Sequence, residues 1–314
     1  VPIPIYGSVD VRDAGWKIGV VDANHFPAGF NNVSKENLQE LANLFKEHVH
    51  RSRPTCKWVH IYPESHTRNP GYVENIASIK SMIEQAGFSC TVGSPDLNDF
   101  GSLNGLSGPL LLHAVHVDDA GELEVNGMRP DLILLNNDLT DGTVPGVQST
   151  NITPPPHMGW FRRRKSQHYE MLRPYIEEIA SLLSIDAWHL MPDWFVSENK
   201  CLTEDACRHK LADEIDDFLQ RLREKYAVLG IQREPTVVMK NDSGTYGLGI
   251  MMLTSGKQIL NLSNRKANKL RYAKGGAEVE NFLIQEGIPT SLTTEEGETL
   301  EPVVYLVDGE AASW

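Results

Sequence analysis

The sequence predicts an α/β protein: an N-terminal domain with a mostly parallel three-layer sheet, followed by an α+β region. Three observations predict it. Short apolar strands alternate with helices over residues 1–150, proline and glycine accumulate over 136–160, and strand-forming segments dominate after residue 230. We therefore expect an α/β domain at 1–150, a helical central region at 151–229 and a strand-rich α+β region at 230–314.

The first strand and the first helix are predicted from the side chains of residues 16–49. Residues 16–22, WKIGVVD, predict a buried strand. Ser34 is of the type that caps helices, and apolar residues then recur at helical spacing. These residues are Leu38, Leu41, Phe45 and Val49. A helix is therefore expected from residue 35.

The remaining elements are predicted from the same signals, apolar runs for strands and apolar residues at helical spacing for helices. In the first 150 residues we expect strands at 57–62, 88–92, 110–117 and 131–135, with a helix between the first two that ends at Gly87. Beyond the proline-rich stretch we expect helices at 166–183 and 203–226 and strands at 237–239, 249–254, 282–285 and 303–307. Asp308-Gly309 then predicts a tight hairpin turn.

Composition excludes several classes of function. A formal charge of −13 disfavours a general nucleic-acid surface. No apolar run reaches the roughly 18 residues of a membrane span. The four cysteines form no CxxC pair, which favours a reducing cytoplasm and disfavours structural zinc. We expect a cytoplasmic protein with small-molecule partners and without nucleic-acid or membrane partners, and a homo-oligomer is compatible with these features.

A glycine-rich loop between two strands is the first candidate site. In VVMKNDSGTYGLG, the strand ends at Lys240, and glycines and hydroxyl side chains follow. The spacing matches neither the P-loop nor the dinucleotide fingerprint. Such a loop can fold over a triphosphate, whereas the alternative is a long hairpin turn. The candidate residues are Lys240, Ser243, Gly244, Thr245, Tyr246, Gly247 and Gly249.

Two further segments carry candidate residues. In FLIQEGIP, an apolar strand ends at Gln285 and Glu286, with Ile288 after it, and the alternative is a plain edge strand. The run FRRRK places Arg163, Arg164 and Lys165 in what we expect to be the first turn of a helix. Cations there oppose the helix dipole unless an anion compensates, so we expect anion binding; the alternative is a solvated helix start.

Loops after the predicted N-terminal strands provide the other candidates. Because ligands of open α/β sheets gather at the carboxyl ends of strands, we select Asn24, Asn31, Arg68 and Asn137 as substrate-binding residues. Their neighbours in the same loops are weaker candidates: Asp22, Glu64, Asn136 and Asp138. Each of these side chains could instead cap a turn.

The order of these segments resembles a known superfamily. A lysine-bearing strand, a glycine loop, a hinge strand and a late hairpin ending in VDGE resemble the ATP-grasp enzymes, glutathione synthetase in particular, over residues 230–314. Across the whole chain, five segments together resemble the small bacterial glutamate–cysteine ligase family that is distinct from the glutamine-synthetase-like ligases. These segments are VVDANHFPAGFNN, IYPESHTRNPGY, DLILLNNDL, PPPHMGWFRRRKSQHY and KNDSGTYGLGIM.

The resemblance implies an activity and a set of roles. The activity is ATP-dependent ligation of the glutamate side-chain carboxylate to the amine of cysteine through an acyl phosphate, the first step of glutathione biosynthesis, with Mg²⁺. Lys240 would neutralise phosphates beneath the glycine loop, and Gln285, Glu286 and Ile288 would line an adenine slot. Arg164 and its basic neighbours would bind carboxylate or phosphate.

Two alternatives remain open at this point. One is another ATP-grasp carboxylate–amine ligase, such as a glutathione synthetase or D-alanine ligase, and the other is a catalytically silent nucleotide-binding protein. The superfamily places its acidic metal ligands in strands after the late hairpin. We therefore expect the polypeptide to continue past Trp314, and we assign no metal ligands.

Overall fold

The computed structural model describes residues 3–65, 68–198, 202–243, 250–271 and 281–314. The chain forms two compact units, one of residues 1–10, 23–159 and 303–314 and one of residues 11–22 and 160–302. Helices and several sheets, one of them parallel, confirm the mixed α/β class. The domain boundaries at residues 150 and 229 stay a prediction.

The helices and strands have the following bounds. The helices are α1 Lys35–Ser52, α2 Pro70–Gln85, α3 Lys165–Leu183, α4 Asp205–Val228, α5 Lys257–Leu260 and α6 Asn264–Arg271. The first ten strands are β1 Tyr6–Asp13, β2 Ile18–Asn24, β3 Trp58–Pro63, β4 Ser89–Val92, β5 Ser102–Asn104, β6 Pro109–Leu111, β7 Val115–Val117, β8 Leu123–Val125, β9 Leu132–Asn136 and β10 Ile152–Thr153. The last six are β11 Trp194–Ser197, β12 Val237–Asn241, β13 Met251–Leu253, β14 Phe282–Glu286, β15 Val303–Val307 and β16 Glu310–Ser313.

A four-stranded parallel sheet lies in the first unit, with strand order β10-β9-β3-β4. All five residues of β9 are buried, as expected of a strand covered on both faces. Helix α2 packs against β3 and β4. Helix α1 begins where predicted, because the Ser34 hydroxyl oxygen accepts the Asn37 N–H at 3.2 Å.

One strand prediction is right about the strand but not about its sheet, and another is wrong. The predicted strand 16–22 is present as β2, which lies outside the parallel sheet, in a sheet of order β16-β15-β1-β2. A tight turn at Gly15, where φ is +82°, precedes β2 and makes β1 its neighbour. The predicted strand 110–117 is two short strands, β6 and β7, which belong to separate hairpins, β5–β6 and β7–β8.

The late hairpin is confirmed. Strands β15 and β16 pair antiparallel, and Val307 lies opposite Glu310, which leaves a two-residue loop. Asp308 and Gly309 occupy that loop with φ of +56° and +81°, the conformation that Asp-Gly favours in hairpins. Asp308 therefore forms the turn, as expected, and its carboxylate also lies 2.7 Å from His48 Nδ1.

The second unit contains an antiparallel sheet of order β11-β14-β12-β13. Apolar side chains of α4, including Leu211 and Ile215, share a hydrophobic core with side chains of the sheet, including Met239 of β12 and Ile284 of β14. Strand β14 lies between two neighbours, so the sheet excludes the edge-strand alternative for the FLIQE segment. Backbone pairing with β12 extends from Phe282 to Glu286, and pairing with β11 from Phe282 to Gln285.

We expect Gly256→Ala to destabilise the protein. The added Cβ would lie 2.1 Å from the carbonyl oxygen of Ala212 and 2.6 Å from its carbonyl carbon, and this backbone belongs to α4. The backbone angles at Gly256 suit alanine, so the cost is steric, about 1–3 kcal/mol of unfolding free energy.

Chemical denaturation measures this difference. The control is Gly101→Ala, where the described part of the chain has no atom within 4 Å of the added carbon. That change should stay within about 0.5 kcal/mol of the parent protein. Equal effects of the two substitutions would contradict close packing at Gly256.

Candidate active site

Lys240 points inward at the end of β12. Its side chain is only 7% exposed, and its ammonium group donates to the carbonyl oxygen of Val21 at 2.8 Å. Burial of a charged ammonium is costly unless acceptors surround it. The lysine that precedes the glycine loop is therefore held by the fold, unlike a solvated surface charge.

The same carbonyl oxygen connects Lys240 to the end of β14. The Tyr169 hydroxyl donates to the Val21 oxygen at 2.7 Å, and the Gln285 amide nitrogen donates to the Tyr169 hydroxyl at 2.9 Å. Since the single phenolic hydrogen goes to Val21, the tyrosine oxygen must accept from the nitrogen of Gln285. The buried Oε1 of Gln285 then faces elsewhere, and it has no hydrogen-bond partner among the described residues.

Asp242 fixes the start of α3 to the root of the glycine loop. Its two carboxylate oxygens accept the Ser166 N–H and the Ser166 hydroxyl, each at 2.8 Å. Its backbone oxygen accepts the Lys165 N–H, also at 2.8 Å. The first N–H groups of a helix lack partners within the helix, so this buried carboxylate acts as a cap supplied from another element.

The basic run differs from its prediction in one respect. Helix α3 begins at Lys165 and Arg164 is its N-cap residue, so Arg163 precedes the helix and does not lie in its first turn. The expected compensating anion is present within the protein itself, because the Asp242 carboxylate lies at the positive end of the helix. The dipole argument alone therefore does not require an external anion.

The individual cations of the run have distinct environments. The Lys165 ammonium is buried and contacts both carboxylate oxygens of Asp22, at 2.8 and 3.0 Å. The buried Trp160 ring has cations near it, with Arg163 Cζ at 4.2 Å and Lys165 Nζ at 4.4 Å from the ring centroid. Arg164 is half-buried and donates to the Arg163 carbonyl oxygen at 2.9 Å.

A histidine lies within this cationic cluster. Burial lowers the pKa of His168, and the charges of Arg163 and Lys165 lower it further, against the opposing effect of Asp22. Its Nε2 atom is buried and has no hydrogen-bond partner within the described ranges. The lowered pKa favours the neutral imidazole at this position.

The candidate residues of the other unit lie in different surroundings. The Asn137 side-chain oxygen accepts the Leu139 N–H at 2.9 Å and so forms a turn, which was the alternative for this residue. Asn31 donates to Asn32 at 3.3 Å, Arg68 is exposed, and Asn24 is half-buried at the end of β2.

A buried polar network lies beside them, at the carboxyl ends of β3 and β9. Asn136 donates to the Tyr6 hydroxyl and to the Pro27 carbonyl oxygen, each at 2.9 Å. The Tyr72 hydroxyl donates to the Asn136 carbonyl oxygen at 2.8 Å. Glu64 accepts the Asp138 N–H at 3.1 Å. These weaker candidates therefore have structural partners, which accounts for their burial.

Part of the predicted loop cannot be placed. Gly244, Thr245, Tyr246, Gly247 and Gly249 lie outside the described residues. Ser243 is described: its N–H and hydroxyl both donate to Asn241 Oδ1, at 3.0 and 3.2 Å. Lys240, Ser243, Gln285, Glu286, Ile288 and the basic run all belong to the second compact unit.

No group of three or more His, Cys, Asp or Glu side chains within the described ranges could hold a metal ion. His113 lies between β6 and β7, and His116 is exposed within β7. No helix in these ranges is long and apolar enough to span a membrane.

Comparison with known proteins identifies the family. The sequence model of GshA, glutamate–cysteine ligase, matches residues 1–313. The chain belongs to this family. A solved protein from Methylobacillus flagellatus KT, assigned as a gamma-glutamylcysteine synthetase, is 34% identical with a TM-score of 0.89; the match covers 99% of this chain and 74% of that one. Membership confirms the predicted reaction class, ligation of glutamate to cysteine.

Other comparisons add little. D-alanyl-alanine synthetase A from Vibrio cholerae O1 biovar eltor str. N16961 is 10% identical over 74% of this chain and 60% of that one. Its TM-score of 0.33 carries no argument about the fold of the ligase. A search of curated proteins gave no match.

The candidate site also contains residues that the sequence patterns did not reveal. Asp242 and Tyr169 connect the start of the glycine loop, α3 and β14, and neither belongs to a recognised motif. A weak signal was present for Asp242, because an acid next to a loop can cap a helix whose own N-terminus is basic. Tyr169 offered no signal, since its partners lie far away in sequence.

We expect Asp242→Ala to cost about 1–2 kcal/mol of unfolding free energy, because the start of α3 loses its cap. Chemical denaturation tests this. The control is Glu204→Ala, since Glu204 is the N-cap residue of α4 yet makes no side-chain cap bond. A cost for Asp242→Ala no larger than that of the control would show that the contact contributes nothing.

Proposed function

We propose that this ligase activates the glutamate side chain with ATP, and that an ATP-grasp-like site built from residues of the second unit holds the nucleotide. One observation supports the proposal above others: a single buried network joins Lys240 to Gln285. Around it lie the loop root at Asp242 and the cations at the start of α3. The antiparallel order of β11 to β14 agrees with such a site.

The chemistry explains why these residue types are needed. A carboxylate does not condense with an amine at a useful rate in water. Transfer of the γ-phosphoryl group of ATP makes an acyl phosphate; the cysteine nitrogen then attacks the acyl carbon, and phosphate leaves as the C–N bond forms. Catalysis of this kind rests on positioning the reactants and neutralising charge, which cations and N–H donors supply.

We assign the phosphates of ATP to Lys240 and to the glycine loop from Ser243 to Gly249. The loop would close over them and exclude water, which otherwise hydrolyses the acyl phosphate. Arg164 is the cation of the basic run that we assign to substrate, with Arg163 and Lys165 beside it. Since Asp22 already neutralises Lys165, that lysine contributes mainly by holding the run in place.

The adenine base is assigned to the end of β14. Glu286 N–H already donates to the Asp193 carbonyl oxygen and Gly287 N–H to the Thr236 carbonyl oxygen, both at 2.8 Å. The base would therefore use the chain around Ile288, and the buried Oε1 of Gln285 is a suitable acceptor for the adenine amino group.

Other assignments rest on the sequence pattern and on the family. Asn24, Asn31, Arg68 and Asn137 remain proposed substrate-binding residues of the first unit. ATP-dependent ligation of this type generally uses Mg²⁺, but the described residues offer no ligand group for it, and we route no step through the ion. The proposed compartment is the cytoplasm, and the proposed partners are ATP, glutamate and cysteine.

The reaction itself can be tested directly. Phosphate release from ATP should be stimulated when glutamate and cysteine are supplied together, and a dipeptide linked through the glutamate side chain should accumulate. Pairs made with other amino acids serve as controls. Stimulation by γ-glutamylcysteine with glycine, or by D-alanine, would favour the other ligases, and no stimulation by any pair would favour a silent nucleotide-binding protein.

We expect Lys240→Ala to lower kcat/KM for ATP-dependent ligation by about 100-fold or more, because the phosphates lose a positioned cation. Lys240→Met, which keeps most of the buried volume, should behave alike and fold normally by circular dichroism. Lys257→Ala is the control, since Lys257 is exposed in the same unit. Unchanged turnover in both Lys240 variants would remove this lysine from the site.

A further inference from the structure

A buried ion pair lies beside the proposed adenine site. Lys17, immediately before β2, contacts the Glu286 carboxylate, and both side chains are fully inaccessible to solvent. The Lys17 ammonium also lies 3.8 Å from the centroid of the Trp188 ring. This lysine has no role in the chemistry described so far, although it contacts a residue of the hinge.

The carboxylate of Glu286 is fully engaged. Its Oε1 accepts the Tyr226 hydroxyl at 3.1 Å, and its Oε2 accepts the Asp193 N–H at 3.1 Å in addition to the Lys17 ammonium. The side chain therefore cannot turn towards a ligand without leaving charged and polar groups unpaired. Its function has to be exerted through its own backbone.

The same stretch of chain holds the next residues of the hinge. Gly19 lies two residues after Lys17, on the same side of the strand by the period of two. A Cβ at Gly19 would lie 2.7 Å from Ile288 Cδ1 and 3.1 Å from Pro192 Cδ. Gly287 is equally confined, since a Cβ there would lie 2.3 Å from Thr236 Oγ1. The turn after β14 is thus held by several close approaches.

We propose that Lys17 is a positioning residue for nucleotide binding: by holding Glu286, it fixes the backbone of Glu286–Ile288 at the place where the base is recognised. The inference rests on the proposed function, which places adenine at this turn. Lys17 of the segment WKIG would thus position the nucleotide site, a role that the strand-like pattern of that segment does not indicate.

Stability alone is a weak explanation for the pair. Two charges removed from water cost several kcal/mol each, and apolar replacements of buried pairs are often as stable or more stable. A fixed pair does provide a defined geometry. In this protein that geometry is applied to the start of a short turn, Gly287-Ile288-Pro289, that follows β14 directly.

Protonation of Lys17 gives the pair a distinctive signature. Burial lowers the pKa of Lys17 to about 8, against the attraction of Glu286. As pH rises through that value, the ammonium loses its proton and its hold on Glu286 weakens. The other titratable or charged groups that face it are Asp193, Lys225, Tyr226 and Asp186.

The test uses a double variant, because Lys17→Met alone leaves a buried carboxylate without its cation and is expected to destabilise the protein. Lys17→Met with Glu286→Gln replaces the pair by neutral residues of similar size. We expect KM for ATP to rise about 10- to 100-fold, while KM for glutamate and cysteine and the thermal midpoint stay near the parent values. Calorimetric titration with ADP should show the same loss without turnover.

The pH profile separates positioning from a merely structural role. In the parent enzyme, KM for ATP should rise as pH increases through about 8, whereas in the double variant it should be flat over that range. The matched control is Lys225→Met, because Lys225 lies 4.9 Å from the same Trp188 ring but makes no contact with Glu286 in the described structure.

Two outcomes would overturn the inference separately from the proposed function. If the parent binds ADP and the double variant binds it equally well, Lys17 does not position the hinge, while the nucleotide site stands. If every KM rises together with a fall in thermal midpoint, the pair is structural. Failure of the parent to bind ADP would instead contradict the proposed function itself.

Discussion

Buried ammonium groups impose the main constraint on the second unit. Lys17, Lys165 and Lys240 are all removed from water, and each requires acceptors that compensate for lost hydration. They find a glutamate, an aspartate and a backbone carbonyl, and in every case one partner of the contact belongs to residues 17–22. One short segment of chain therefore sets the positions of the hinge, the basic run and the strand-end lysine relative to one another.

The start of α3 shows how the fold accommodates a basic helix N-terminus. The first turn of α3 contains no acidic residue, and Asp242 supplies the missing carboxylate. Asp242 lies between the end of β12 and the glycine loop. This carboxylate offsets the unfavourable effect of Arg164 and Lys165 on the N-terminus of α3. Lys165 is neutralised locally by Asp22, and Arg164, the half-buried N-cap residue of α3, donates to the carbonyl oxygen of Arg163.

Local signals in the sequence predicted the elements that depend on neighbouring residues. The cap at Ser34 and the turn at Asp308 were both predictable because each is made by side chains or backbone angles within a few residues. Strand β1 was missed because it pairs with β15, near the other end of the chain. Likewise Lys17 resembled an ordinary strand residue, since its partner Glu286 lies 269 positions away.

The order of segments along the chain carries a consequence for biosynthesis. Residues 11–22 leave the ribosome early, but their partners in residues 160–302 are made only after the whole intervening stretch 23–159. Closing so long a loop costs entropy before any contact repays it, which slows the assembly of this unit. An isolated fragment of 160–302 lacks the acceptors used by Lys165 and Lys240 and the counterion of Glu286, so separation of the chain at residue 159 leaves these three buried charged groups without their partners.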